Sequence, residues 1–443
     1  MHIEELIKLN GGGYCTACTS CFHSCPKHCI TMQADNEGFL YPVVNEADCI
    51  DCGLCEKVCH ELLPYDERKP INVYAAINKD EQVRMNSSSG GMFYLLAEKT
   101  ISEGGVVFGA RFDEEWQVII DYAETLEDVK PFMGSKYVQA RTATAYRDAE
   151  AFLKQGRKVL FSGSPCQIAG LHHYLRKEYE NLTTVDFVCH GVPSPKVWQR
   201  YLDEVVTSGK RAISDVKFRN KGNGWKKFNF VLSYNHDRKS YSLSSWHQQN
   251  HYMRAFLSDM ILRPSCHDCR AKQGRSHSDI TIADFWGIDR EMPDMDDDKG
   301  TGLVLVNTEK GSQSLDWGKV TMKESSIEVA SKYNGGLSSQ TKPHPKRTEF
   351  FAALDTSSSV ISLIDKCLRA PFKRRVRIVL GGYKRHLLTI LKNLAGGGNK
   401  CNQVSGTENL IELIPSDSKI VNVTFRNKLH GWKSYRMEIN IDK

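Results

Sequence analysis

The sequence predicts an α+β protein with α/β elements: a small cysteine-rich head, a large mixed α/β module and a basic helical C-terminal tail. Three observations carry this reading. Two cysteine runs of matching spacing precede residue 60, strand–turn–helix patterning begins near residue 72, and lysines and arginines crowd the stretch from Lys366 to Lys392. A chain of 443 residues has room for two or three domains. The expected boundaries are 1–64 for the head, 72–340 for the module, 341–400 for the basic segment and 401–443 for a tail.

The head is defined by Cys15-x-x-Cys18-x-x-Cys21-x-x-x-Cys25-Pro26, followed by Cys49-x-x-Cys52-x-x-Cys55-x-x-x-Cys59. Doubled, this spacing wraps two 4Fe–4S cubanes, each held by three thiolates of one run and the last of the other. One cluster takes Cys15, Cys18, Cys21 and Cys59; the second takes Cys49, Cys52, Cys55 and Cys25. Zinc would use two separated pairs and leave part of each run idle. A disulfide framework needs an oxidising compartment, whereas Met1-His2-Ile3-Glu4-Glu5 opens with acid and has no apolar signal core. His60 stands where the second run would often carry proline. Between the runs, Ile30–Met32 and Phe39–Val43 read as strands around an Asn36-Glu37-Gly38 turn, the hairpin of a compact two-cluster ferredoxin. Two adjacent cubanes imply one-electron transfer.

Hydrophobic content of 40% and charged content of 25% are ordinary for a soluble protein. No apolar stretch reaches about 18 residues, so no membrane span is expected. Fifteen cysteines without a secretion signal point to the cytoplasm. The net charge of +6 is concentrated between Lys366 and Lys392, where no acid intervenes. This segment has an amphipathic helical look, interrupted at Gly381-Gly382. It reads as solvated helices, as a peripheral contact with an anionic membrane face, or as a docking site for an acidic partner. Nucleic acid is not expected, since no aromatic stacking platform accompanies the charge.

In the module, Val73–Ala76 and Val106–Ala110 read as strands, with a helix opening at Ser87-Ser88-Ser89-Gly90-Gly91 between them. Val159–Phe161 ends at Gly163-Ser164-Pro165-Cys166, and Thr184–Val188 ends at Cys189-His190-Gly191. Each turn leads into a helix. Two successive strand–turn–helix units imply parallel strands, with ligands bound beyond their carboxyl ends. Cys166 and Cys189 fall at that edge. With the Cys266-x-x-Cys269 turn they suit a third cubane or a zinc.

Several phrases together resemble the coenzyme F-420 hydrogenase/dehydrogenase beta-subunit family across roughly residues 72–340. They are Ser88-Ser89-Gly90-Gly91, Gly134-Ser135-Lys136-Tyr137, Gly163–Gln167, Cys189–Ser194, Phe218-Arg219-Asn220-Lys221 and Asp279–Gly287. A two-cluster ferredoxin head fused to this module also looks like bacterial members. The resemblance implies a flavoprotein oxidoreductase that passes electrons between a ferredoxin-type carrier, 4Fe–4S clusters, FAD and a reducible small-molecule substrate. It implies that Cys166, Cys189, Cys266 and Cys269 hold a third cluster, and that Ser87, Ser88, Ser89, Gly90 and Gly91 face the FAD pyrophosphate. Paired glycines at a helix start let backbone N–H groups approach phosphate, although such turns are common without a ligand. Ser135 and Lys136 fall beside the cofactor, where Lys136 would place a cation near the flavin; a surface lysine is the alternative. His190 is a candidate proton source, or a structural histidine capping the following turn. No Gly-x-Gly-x-x-Gly fingerprint appears, which argues against an NAD site of its own. A different class stays open: a flavin-free electron-transfer adaptor that docks a partner oxidoreductase.

Phe218-Arg219-Asn220-Lys221-Gly222-Asn223-Gly224-Trp225-Lys226 recurs as Phe425-Arg426-Asn427-Lys428-Leu429-His430-Gly431-Trp432-Lys433. Both copies read as hairpins. The second is either a remnant of partial duplication or a pair of strands that adds to an exposed sheet edge.

Overall fold

The alternation of strand and helix signals predicts a mixed α/β architecture, and the computed structural model has one. It describes residues 3–5, 14–63, 66–207 and 209–369, together with strands at 409–414, 420–427 and 431–438. Residues 1–369 form one compact unit and 370–443 a second.

The head's hairpin pairs β1 (Ile30–Ala34) antiparallel with β2 (Leu40–Val44). Asp35 makes the turn: its carboxylate accepts from the backbone N–H groups of Glu37 and Phe39 at 3.0 and 2.8 Å. The hairpin tip is fastened to the module. Ser194 donates to the Glu37 carbonyl, and Arg347 forms an ion pair with the Glu37 carboxylate.

The module is built on an eight-stranded sheet. Its strands are β3 (Asn72–Asn78), β4 (Val106–Phe112), β5 (Val118–Ala123), β6 (Val159–Ser162), β7 (Leu182–Phe187), β11 (Ile280–Asp284), β12 (Gly302–Val306) and β13 (Val320–Glu324). The order is β13-β3-β12-β11-β7-β6-β4-β5. The four central strands β11, β7, β6 and β4 are parallel, and antiparallel strands flank them on both sides. The expected parallel pair β6–β7 is present. Alternation along β4 and β6 splits the core in two. Val107 and Leu160 join Leu95 and Leu96 of the helix Met92–Ser102, while Val106, Phe108 and Phe161 pack with the helices Ala145–Lys154 and Pro165–Leu175. Burial on both faces explains why these strands read as unbroken apolar runs.

Three more strands, β8 (Ile213–Asn220), β9 (Asn229–His236) and β10 (Lys239–Trp246), form an antiparallel meander. It closes over a core of Trp198, Phe218, Phe230, Tyr252 and Phe256. Phe350, Leu354, Val360, Leu363 and Ile364 belong to that core too. The helices Arg347–Leu354 and Val360–Leu368 therefore pack with the module, although the sequence grouped them with the basic segment. Of that segment, residues 370–400 lie outside the described residues. Among the described residues no helix is long and apolar enough to cross a membrane.

The second unit contains β14 (Asn409–Ile414), β15 (Ile420–Asn427) and β16 (Gly431–Glu438), antiparallel in that order. The repeated phrase forms a hairpin in both places: Asn220 faces Asn229 in the first copy, and Asn427 faces Gly431 in the second.

Candidate functional site

Two cysteine loops curl tightly in the head. Ala17 and Thr19 adopt left-handed backbone at φ 56° and 70°, and Ala17 N–H donates to Cys15 Sγ at 3.4 Å. Such turns aim successive thiols at one point. Cys15, Cys18, Cys21 and Cys59 border a cavity of about 20 Å³. Cys25, Cys49, Cys52 and Cys55 border a larger one of about 390 Å³, where Cys52 is exposed. Each cavity thus draws three thiols from one run and the last from the other. Sequence reasoning missed Cys29, which is buried on the second cavity with Sγ 3.3 Å from Cys25 Sγ. Its only signal was a position four residues after Cys25.

A third thiol-lined cavity of about 20 Å³ sits at the carboxyl edge of the sheet, bordered by Cys166, Cys189, Cys266 and Cys269. The local sequence explains each placement. Ser164 and Gln167 form a reciprocal capping box, with Pro165 at the first helical turn, so Cys166 emerges at the start of the helix Pro165–Leu175. Cys189 lies two residues past the end of β7. Cys266 and Cys269 come from the tight turn Pro264–Asp268 and its end. Val192 N–H donates to Cys266 Sγ at 3.3 Å, and Ser164 Oγ lies 3.2 Å from Cys166 Sγ.

Burial pushes all four of these thiols up, Cys269 to about 11. Burial likewise raises Cys15, Cys18, Cys21 and Cys59. Four thiolates in such a space require a cationic partner, and a metal cluster supplies that charge. Among the described residues no three His, Cys, Asp or Glu side chains are disposed to hold a single metal ion.

Arg263, fully buried, links the first and third cavities. It lines the third, and it donates to the carbonyls of Cys15 and Leu40 at 2.7 and 2.8 Å. Thr16 borders both of these cavities and also a central cleft of about 650 Å³.

That cleft is lined by all the expected flavin contacts, Ser87–Gly91, Ser135 and Lys136, and by Cys166, Cys189 and His190. The serine hydroxyls hold the turn in place. Ser87 donates to the Val83 carbonyl, Ser89 to the Thr301 carbonyl, and Ser88 Oγ accepts from Ser135 N–H at 2.7 Å. Gly90 is required by close approach, since a Cβ there would lie 2.4 Å from the Ala76 carbonyl oxygen. Lys221 braces the same turn. Its buried ammonium donates to the carbonyls of Arg84, Ser89 and Lys299 at 2.7–2.8 Å.

Lys136 reaches the cleft wall, but its ammonium is committed to its own loop through the carbonyls of Pro131 and Met133, and burial lowers its pKa to about 7. His190 Nε2 lies 2.7 Å from Asp259 Oδ1, with the ring edge-on to Phe256. Ser194 caps the following helix, so His190 is not needed there. Sequence reasoning also missed the role of Arg219, Phe228, His247 and Trp286 in lining the cleft. Their signal lay in the quoted phrases. Arg219 of Phe218–Lys221 pairs with Asp284 of Asp279–Gly287, and Trp225 stacks on Trp286 at 4.8 Å.

These observations define an iron–sulfur electron-transfer protein whose head packs on a mixed α/β module. Residues 156–329 match the family model for the C terminus of the coenzyme F-420 hydrogenase/dehydrogenase beta chain, and residues 14–61 match a 4Fe-4S dicluster domain. Both matches agree with the resemblance that the motifs of the module and the doubled cysteine run indicated. Among solved structures, a chain of the xenon-derivatised F-420-reducing nickel–iron hydrogenase complex from Methanosarcina barkeri aligns at 18% identity and a TM-score of 0.41. The alignment covers 69% of this chain and 94% of that one. No curated protein matches.

Proposed function

We propose that the chain is an iron–sulfur flavoprotein oxidoreductase, passing electrons between an external carrier, the head, the third cysteine site and a reducible substrate beside FAD in the central cleft. The observation that carries this reading is Thr16. It borders the first cluster cavity, the third thiol cavity and the 650 Å³ cleft, so the three sites adjoin through one residue. When bound, cubanes exchange single electrons, and a flavin joins one-electron to two-electron chemistry.

The protein's own groups have definite parts in this scheme. Cys15, Cys18, Cys21 and Cys59, then Cys25, Cys49, Cys52 and Cys55, would hold the head clusters, and Cys166, Cys189, Cys266 and Cys269 the third. The Ser87–Gly91 turn and the helix Met92–Ser102 offer backbone N–H groups to a pyrophosphate. His190, with Nε2 2.7 Å from Asp259 Oδ1 and its ring on the cleft wall, would hold or give a proton there. The second head cavity is the most open of the three, which supports entry or exit of electrons there through a redox partner protein or small carrier.

Oxygen-free purification with cofactor analysis tests the proposal. Three cubanes and one flavin give about twelve irons per chain. About eight irons and no flavin would make the chain a flavin-free adaptor that docks a partner oxidoreductase. Cys266→Ser should abolish electron exchange between flavin and head while sparing the head's reducible iron. Normal exchange in that variant would refute the third ligand set.

A further inference from the structure

Arg219 is held in an unusual way. Its side chain is 5% exposed, one terminal nitrogen, Nη1, pairs with Asp284, and Asp284's other oxygen accepts from Trp225 Nε1 at 2.8 Å. The guanidinium lies over the rings of Phe228 and Trp286, 4.6 and 5.4 Å from their centroids. Nε and Nη2 are both buried and meet no acceptor with hydrogen-bond geometry, although the Tyr137 side chain lies close to the guanidinium.

Those two nitrogens share one edge of the guanidinium, and their N–H bonds point the same way. This edge grips two oxygens of a carboxylate or phosphate at once. Leaving two charged donors unpaired in a buried setting is costly. Arg219, Phe228 and Trp286 all line the central cleft. The neighbouring polar groups are already engaged: Lys226 pairs with Asp296, and His247 Nδ1 lies 3.0 Å from the Phe228 carbonyl oxygen.

We propose that the Nε–Nη2 edge of Arg219 binds an oxyanion, carboxylate or phosphate, of a ligand that enters the central cleft. The inference deepens the reading of this cleft as a cofactor and substrate site, and rests on it. Two sources share that chemistry: a phosphate of the nucleotide cofactor, and a carboxylate of the reducible substrate.

The test uses the full chain, purified without oxygen, before and after flavin removal. Inorganic pyrophosphate and benzoate serve as probes, read by titration calorimetry on wild type, R219K and R219Q. At least one probe should saturate the wild type. The lysine variant, which keeps a cation for Asp284 but has no fork, should bind it at least about tenfold more weakly. R219Q should not bind it. Pyrophosphate binding only after flavin removal assigns the edge to the cofactor, and benzoate binding with flavin in place assigns it to substrate. If the chain carries no flavin yet still shows the Arg219-dependent response, the oxyanion site stands and the flavin reading falls. Should R219Q fail to fold, R219K decides. Equal affinities in wild type and R219K, or no binding of either probe to the wild type, would overturn the proposal.

Discussion

His60 Nε2 lies 3.0 Å from the hydroxyl oxygen of Thr16, and both residues are buried. The contact ties the end of the second cysteine run to the start of the first, at the residue bordering three cavities. A proline at position 60, the residue often found there, has no side chain to reach Thr16. Thr16→Val keeps the shape and removes the hydroxyl. It is expected to cost about 1–3 kcal/mol, because a buried ring nitrogen loses this partner. Denaturant unfolding of the oxygen-free protein, with iron content as a control, checks this. A variant with an unchanged midpoint would show that the contact contributes nothing.

Gly170 marks the seam between head and module. It sits in the helix Pro165–Leu175, and Ser20 of the head donates to its carbonyl at 2.7 Å. A Cβ at this position would meet Cys18 Cβ at 2.7 Å and the Tyr146 hydroxyl at 2.9 Å. Gly170→Ala therefore overpacks the seam, at an expected cost of about 1–3 kcal/mol. Limited proteolysis should cut between residues 62 and 72 more readily in the variant. Identical digestion would mean that the seam relaxes without cost.

Much of this arrangement was legible beforehand because metal chemistry constrains spacing. The sharing of Cys25 and Cys59 between the two head cavities follows from the doubled motif alone. The parallel pair β6–β7 was legible because each strand is followed by a turn and then a Ser-Pro helix start, where Ser164 and Ser194 cap. Long-range pairing was not. Nothing local in Phe218–Lys221 says that Arg219 meets Asp284, or that Lys221 reaches Ser89, residues far apart in the chain. Cys29 was passed over because it falls outside the repeating interval. The helices after Arg347 were assigned to the tail because their charge is local, whereas their packing on Trp198 and Phe256 is not.

Lys221 offers a direct test of how the Ser87–Gly91 turn is held. Three carbonyls accept from its ammonium, matching the three N–H bonds of the charged form. Lys221→Met keeps the stem but strands those carbonyls, so a loss of about 1–3 kcal/mol is expected. If the turn receives a pyrophosphate, flavin retention on gel filtration should fall in parallel. Lost stability with full flavin retention would detach the turn from cofactor binding.

His172 sets a pH dependence whose sign can be worked out. It lies in the last turn of the helix Pro165–Leu175, where the helix dipole favours a protonated ring by about 0.3–1 kcal/mol. Burial wins instead and lowers its pKa from 6.5 to about 4, and Nε2 is buried without a hydrogen-bond partner. Between pH 6.5 and 4 the unfolded chain then binds a proton that the folded chain refuses. The contribution to stability is complete above the unfolded pKa and is lost as pH falls through that window, at up to about 1.4 kcal/mol per pH unit. His173, also lowered to about 4 by burial, acts in the same direction. Replacing His172 with leucine should flatten the fall of the unfolding midpoint below pH 6.5 and leave its slope unchanged above it, and replacing both histidines should flatten it further. Parallel pH profiles for wild type and both variants would show that neither ring sets the acid sensitivity between pH 6.5 and 4.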